Sequence, residues 1–201
     1  GFHLACDAAN PEVVALLRAR KHRDLKPFAL MVRDRAAAET LCRFTCSAEW
    51  QLLESAERPI VLLDKRTDHG LAAEVAPRNP SFGLMLPYTP LHHLLMEGPF
   101  RALVMTSGNL SDEPIVHTNE DALERLAGLA DCFLLHNRRI HIRTDDSVVR
   151  IIAGQMRFLR RSRGYAPFPV KLPFDSSGHE VLAVGPELNN TICVTRGEYA
   201  F

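Results

Sequence analysis

The sequence has no apolar run approaching the roughly 18 residues needed to cross a membrane, and its N-terminus does not resemble a secretory signal. It has no GxxxxGK(S/T) phosphate loop and no GxSxG elbow, which removes the P-loop and nucleophile-elbow readings. Cysteine is scarce: Cys6, Cys42, Cys46, Cys132 and Cys193 form an odd set with no CxxC pair. That usage suits a reducing cytoplasm better than a disulfide framework, and it argues against a structural zinc site. His92 and His93 sit in an amphipathic helical pattern with no matching third ligand nearby, so they are expected at the surface or core edge. Net charge is absent too, with 24 basic and 24 acidic residues, which argues against a protein that coats itself with nucleic acid.

What is present is enough for a core. Of 201 residues, 46% are apolar and 24% charged, so disorder and collagen are excluded. The chain opens at Gly1 rather than methionine and stops at Phe201 inside an apolar run, and so reads as a piece of something longer. The balanced charge is unevenly spread. Arg18 to Arg35 carries a net +5, Asn137 to Tyr165 a net +6, and Ser111 to Asp131 a net −5. Two basic clusters in a neutral chain suit a local anion; their bland alternative is solvated helix faces.

Asn10-Pro11-Glu12 is a helix start, with Val13, Val14, Leu16 and Leu17 giving a stripe to about Lys21. Strands are expected at 28–32, 60–64, 82–86, 102–106 and 132–136. Asp34, Ser47, Thr89 and Asn119 mark the starts of further short helices. Residues 147–152 and 156–160, around Ala153-Gly154-Gln155, read as an antiparallel hairpin. Short buried strands alternating with helices give an α/β fold with a twisted mixed sheet and flanking helices. Residues 1–165 form the expected main domain and 166–180, with three prolines, a linker. Residues 181–201 look like the first strands, a β-hairpin, of a truncated second domain.

Three polar loops are candidates for chemistry, since ligands of α/β sheets collect at strand ends. Lys21-His22-Arg23-Asp24-Leu25-Lys26-Pro27 offers point charges and a planar fork suited to phosphate oxygens. Helix-dipole stabilisation alone also explains basic residues at that helix end. Thr106-Ser107-Gly108-Asn109 supplies hydroxyl and amide groups, and Gly108 removes a side chain that would keep a ligand off the backbone. An ordinary turn has the same composition. Arg143 to Ser147, with Arg160-Arg161-Ser162-Arg163-Gly164, puts Asp145 and Asp146 near an arginine cluster. Those acids are candidates to meet Mg2+ through bound water, or simply to neutralise the arginines.

Taken together, GFHLACDAANPEVVALLRARKHRDLKPFALMV, the K-x-R at Lys21-His22-Arg23, the S-x-N at Ser107-Gly108-Asn109 and the DDSVVR segment resemble the YrdC-like family. Within it, DDSVVR followed by LRRSRGYAP is similar to the hydrogenase-maturation carbamoyltransferase branch, whereas the tRNA-modifying threonylcarbamoyl branch usually carries STVVD. The tail VLAVGPELNNTICVTRGEYAF is similar to the opening of that branch's next domain. Asp112, where the family usually has glycine, and Asn189, where a lysine is common, depart from the pattern.

The resemblance implies ATP-dependent formation of carbamoyl-adenylate from carbamate, itself derived from carbamoyl phosphate, with release of pyrophosphate. The carbamoyl group would then pass to the C-terminal cysteine of the partner HypE. Carbamate is already a nucleophile, so the step needs positioning and charge neutralisation rather than a base. Lys21 and Arg23, supported by Lys26, would hold the triphosphate. Thr106, Ser107 and Asn109 would line the adenylate and carbamoyl site, Ser147 would bind a phosphate oxygen, and Arg161 and Arg163 would close the site. ATP and Mg2+ are the implied cofactors. The competing readings are the threonylcarbamoyl-adenylate branch and a double-stranded RNA-binding module.

Overall fold

The computed structural model describes residues 1–110, 113–185 and 191–201; Asp112 and Asn189 lie outside the described residues. Local chemistry sets most elements. In α1 (Pro11–Arg20) the Asn10 side chain accepts from the Glu12 and Val13 amides, and proline occupies the first turn. Asp34 caps α2 (Arg35–Leu41), and Thr89 caps α4 (Pro90–Met96). Two starts shift by one residue. Helix α3 (Ser47–Glu54) is preceded by Cys46, which makes no side-chain cap; Glu49 instead accepts from the Thr45 amide and hydroxyl. Helix α5 (Asn119–Arg125) is capped by Thr118.

The strands are β1 (His3–Asp7), β2 (Ala29–Met31), β3 (Cys42–Arg43), β4 (Ile60–Lys65), β5 (Ser81–Met85), β6 (Leu103–Ser107), β7 (Val148–Ile152) and β8 (Gln155–Arg160). They form one eight-stranded mixed sheet, ordered β1-β6-β2-β5-β4-β7-β8, with β3 pairing β4. β2 runs parallel to β5 and β4 to β7, while the other pairs are antiparallel. The β7–β8 hairpin turns at Ala153 and Gly154, both with positive φ, as a tight two-residue turn requires.

The expected strand at 132–136 does not form. That run half-buries Phe133 against the core, leaves Leu134 and Leu135 exposed, and pairs with no strand. Apolar content alone cannot supply a ladder partner.

Alternation assigns the two faces of the sheet. Leu4, Leu30, Val61, Leu84 and Val104 point to one side, where α1, α2, α3 and α5 deliver Val14, Ala38, Leu53 and Ala122. Met31, Ile60, Met85, Leu103 and Met105 point to the other, where α4 brings Met96. This second face is the open one, with Ala5 exposed and Ala29 and Leu62 half-buried. The sheet is also strongly curled. Flat strands would separate β1 from β7 by about 24 Å. His3 of β1 nevertheless lies 3.4 Å from Asp146, just before β7. The open face is therefore the floor of a cleft.

A separate four-stranded sheet follows, ordered β10-β11-β12-β9, from β9 (Val170–Lys171), β10 (Leu182–Val184), β11 (Ile192–Arg196) and β12 (Tyr199–Ala200). The expected terminal strands, 181–185 and 191–201, are β10, which pairs antiparallel with β11, and the β11–β12 pair. They are joined by Val170–Lys171 from the proline-rich segment, which pairs with β12. Among the described residues no helix is long and apolar enough to cross a membrane.

Leu30 is fully buried at the sheet centre, whereas Leu94 on α4 is 63% exposed. Leu30→Ala should cost about 2–5 kcal/mol and Leu94→Ala within about 0.5 kcal/mol, read from urea midpoints of the two variants.

Candidate functional site

The K-x-R spacing has a backbone explanation. Lys21 is the C-cap of α1, His22 has φ 49, and Arg23 follows. The His22 amide donates to Ala19 O and the Arg23 amide to Arg18 O, the paired bonds of a left-handed helix stop. The middle residue thus takes the reversing conformation, and the two cations diverge from it.

Lys21 turns inward and is 1% exposed. Its Nζ donates to Ser107 O at 2.7 Å, Asn109 O at 2.6 Å and Asn109 Oδ1 at 3.2 Å. Burial, then the charges of Arg23 and Lys26, push its pKa down to about 8. Arg23 donates to Lys26 O and Pro27 O and lies over the Phe28 ring. Burial, then Arg18 and Arg160, push its pKa down to about 10. Lys26 is exposed on the same loop.

The S-G-N loop is equally ordered. Ser107 Oγ donates to Asn109 Oδ1 at 2.6 Å, and Asn109 Nδ2 donates to Glu113 O at 2.6 Å. Gly108 has a different job from the expected ligand approach. A Cβ there would lie within 3.0 Å of the Phe2 backbone, and the Gly108 amide donates to Phe2 O. The glycine lets the loop pack against the start of β1. Ser107 shares the cleft face with Met105, since both lie opposite odd-numbered residues of β1. Thr106, being the next residue along the strand, is buried on the helix side and faces away.

The structure brings Lys21, Arg23, Lys26, Ser107 and Asn109 to one end of the sheet. The residues of the third loop are occupied differently. Ser147 is fully buried, donating to Arg163 O and accepting from the Ser162 amide. Arg161 donates to Tyr165 O and Phe168 O. Arg163 donates to Asp146 at 2.7 Å, Glu57 O and Arg58 O, and lies over the Tyr88 ring. All three brace the chain beside the cleft. Asp146 also accepts from His3. Burial would raise its pKa, but the hydrogen bond and charge of His3, with Arg163, hold it well below the usual carboxylate range. Its carboxylate is thereby occupied, while the half-buried Asp145 lies 3.7 Å from Arg160. Among the described residues no three His, Cys, Asp or Glu side chains cluster as a metal site.

Three residues take roles that the sequence reading did not give them. Arg160 lies opposite Val148 on the cleft side and is close enough to depress the Arg23 pKa. A register shift at Val148/Val149 puts it there; unbroken alternation from Phe158, opposite Val149, would have turned it to the other face, so the sequence pattern carried no signal for it. Arg18 looked like a helix-end cation, yet its Nη1 takes the carbonyls of Arg23, Asp24 and Lys26, and its other nitrogens take Glu74 O. It shapes the whole 21–27 loop. His92, expected at the surface or core edge, is buried between Tyr88 and His3 with its Nδ1 unpartnered.

The family model Sua5/YciO/YrdC, described as telomere recombination, matches residues 1–162. The chain is 49% identical over 208 residues to carbamoyltransferase HypF of Rhizobium leguminosarum bv. viciae, covering 100% of this chain and 27% of that protein. It is 46% identical over 201 residues to carbamoyltransferase HypF of Synechocystis sp., covering 100% and 26%. The chain thus spans about a quarter of the length of these relatives. A crystal structure of full-length HypF in the phosphate- and nucleotide-bound form superposes with TM-score 0.91 at 50% identity, over 100% of this chain and 31% of that one. P. abyssi Sua5 complexed with L-threonine gives 0.69 at 17% identity, over 80% and 47%, a likeness of fold alone.

Burial, then the charge of His3, pushes the His92 pKa down to about 4. The unfolded chain takes up that proton near pH 6.5 and the folded protein only near 4. Stability from this group is therefore lost as pH falls through that window. His92→Phe should remove a loss on the order of 3 kcal/mol, seen as a flatter acid limb when urea unfolding is compared at pH 7.5 and 4.5.

Proposed function

The chain belongs to the Sua5/YciO/YrdC family, and from that premise we propose that it joins carbamate to ATP, forming carbamoyl-adenylate and pyrophosphate. The observation that carries this reading is the cationic end of the cleft. Lys21 stands behind the Ser107–Asn109 loop, and Arg160 is near enough to Arg23 for its charge to lower the Arg23 pKa. Arg23 donates to the carbonyls of Lys26 and Pro27, which orient a guanidinium without neutralising it. High identity to proteins named carbamoyltransferase, one of them solved with nucleotide and phosphate, supports the same reading.

In this scheme a carbamate oxygen attacks the α-phosphorus, the bond to the bridging oxygen breaks, and pyrophosphate leaves with its electrons. No proton needs to move. Arg23, Lys26 and Arg160 hold the triphosphate, and Ser107 and Asn109 fix the adenylate phosphate. Lys21 sets the geometry and potential of their loop, while Ser147, Arg161 and Arg163 position the hairpin that carries Arg160. Mg2+ enters as part of the nucleotide substrate; Asp145 is the carboxylate disposed to meet its bound water. Residues 1–165 are the adenylate-forming unit, 166–180 the connection and 181–201 the start of a following unit. Carbamoyl phosphate as the carbamate source, and transfer to the C-terminal cysteine of HypE, complete the role in hydrogenase maturation. The threonylcarbamoyl alternative rests on fold likeness alone, at 17% identity.

Calorimetric titration of MgATP tests the site. Lys21→Met should weaken binding by about 1.5–3 kcal/mol, the range for a charge-assisted contact, and Arg160→Gln should weaken it without loss of fold. In the wild type, affinity should fall as pH rises through about 8, where Lys21 gives up its proton. Unchanged affinity in both variants would place the nucleotide elsewhere, and exchange that demands L-threonine would replace carbamate as the substrate.

A further inference from the structure

The adenylate scheme leaves one polar group on the cleft floor without a task. His3 lies directly opposite Ser107 in the β1–β6 ladder, so the two side chains are neighbours on the same face. That face is the open one, since Met105 and Leu103, opposite Ala5 and Asp7, belong to the second core cluster. The His3 side chain remains 23% exposed. Lys21 approaches the loop from the helix side; His3 stands on the substrate side.

The ring is anchored at Nε2 and packs edge-on against His92. His3 Nε2 lies 3.4 Å from Asp146 Oδ2, and Asp146 Oδ1 accepts from Arg163 Nε at 2.7 Å. Tyr88 also hydrogen-bonds Asp146. A carboxylate gripped by these partners is fixed in place and acts as an acceptor. It therefore fixes Nε2 as the donor of the ring. In the tautomer that carries its proton there, Nδ1 has a lone pair and accepts hydrogen bonds.

We propose that His3, oriented by Asp146, is a specificity-determining residue that accepts a hydrogen bond from the amino group of carbamate. This rests on the carbamoyl-adenylate reading. Carbamate and acetate have similar shape and the same carboxylate, and differ in presenting an amino or a methyl group. A carboxylate-binding pocket alone would take either. An acceptor beside Ser107 pairs with the amino group and is left unpaired by the methyl, which is the effective way for a site to reject a near-isostere. The carbamate oxygen that attacks phosphorus is left free, so His3 adds selection without altering the proton balance of the step.

The test is exchange of labelled pyrophosphate into ATP by the full-length protein at pH 8, with carbamate or acetate as the probe. Wild type should exchange with carbamate and at least tenfold less with acetate. His3→Leu should lose at least tenfold of the carbamate rate, chiefly through a higher KM, and should no longer favour carbamate over acetate. Its ATP affinity should stay within about threefold of wild type, which also reports that it is folded. His3→Asn, which keeps an acceptor on a short side chain, should recover part of the discrimination. If both variants bind ATP and keep the wild-type preference for carbamate, the inference is wrong while the adenylate reading stands. If wild type shows no carbamate-dependent exchange, the adenylate reading fails and this inference fails with it.

Discussion

The Lys21 ammonium is buried beneath the S-G-N loop, and the functional end of the molecule is organised around it. An ion taken out of water costs several kcal/mol unless its donors are matched. Here Ser107 O, Asn109 O and Asn109 Oδ1 receive them. The end of α1 and the turn after β6 are therefore one unit, although 86 residues separate Lys21 from Ser107. Burial first, then the neighbouring cations, pushes the pKa values of Lys21 and Arg23 down, a penalty on carrying charge at this end of the sheet. A bound polyanion would relieve it, which is why a buried lysine and a loop of constrained arginines make sense as a nucleotide site.

A second device holds the far side. The curl of the sheet brings β1 back towards the segment before β7, where His3, Asp146, Arg163 and Tyr88 meet. Arg163 also grips Glu57 O and Arg58 O, tying the hairpin exit to the start of β4. With Ser147 bonded to residues 162 and 163, the hairpin that carries Arg160 is braced at its base. Pre-organised charge of this kind does not have to be assembled when substrate arrives.

Much of this was legible in the order of residues. Asn10-Pro11, Asp34 and Thr89 are local caps, and their helices form where those signals stand. Ala153-Gly154 marks the hairpin turn, and the K-x-R and S-x-N spacings mark the two loops that meet. Each depends on neighbours within a few positions, so chain order suffices. The 132–136 run shows the limit of that reasoning, since its apolar pattern was adequate and only a ladder partner was lacking.

The sequence by itself determined the α/β fold, the placement of basic loops at strand ends and the residue types available for an anion. Tertiary structure alone decided which cations face the cleft and which brace the chain. Arg160 and Arg161 are adjacent, yet a register shift in the β7–β8 pair turns Arg160 to the cleft side, while Arg161, past the end of the strand, reaches the carbonyls of Tyr165 and Phe168. Arg18 and Arg163 reach carbonyls as far as 57 and 106 residues away. A guanidinium does not choose its acceptors by sequence distance. It takes the oxygens that folding brings within about 3 Å, and that choice separates a structural arginine from one left to bind phosphate.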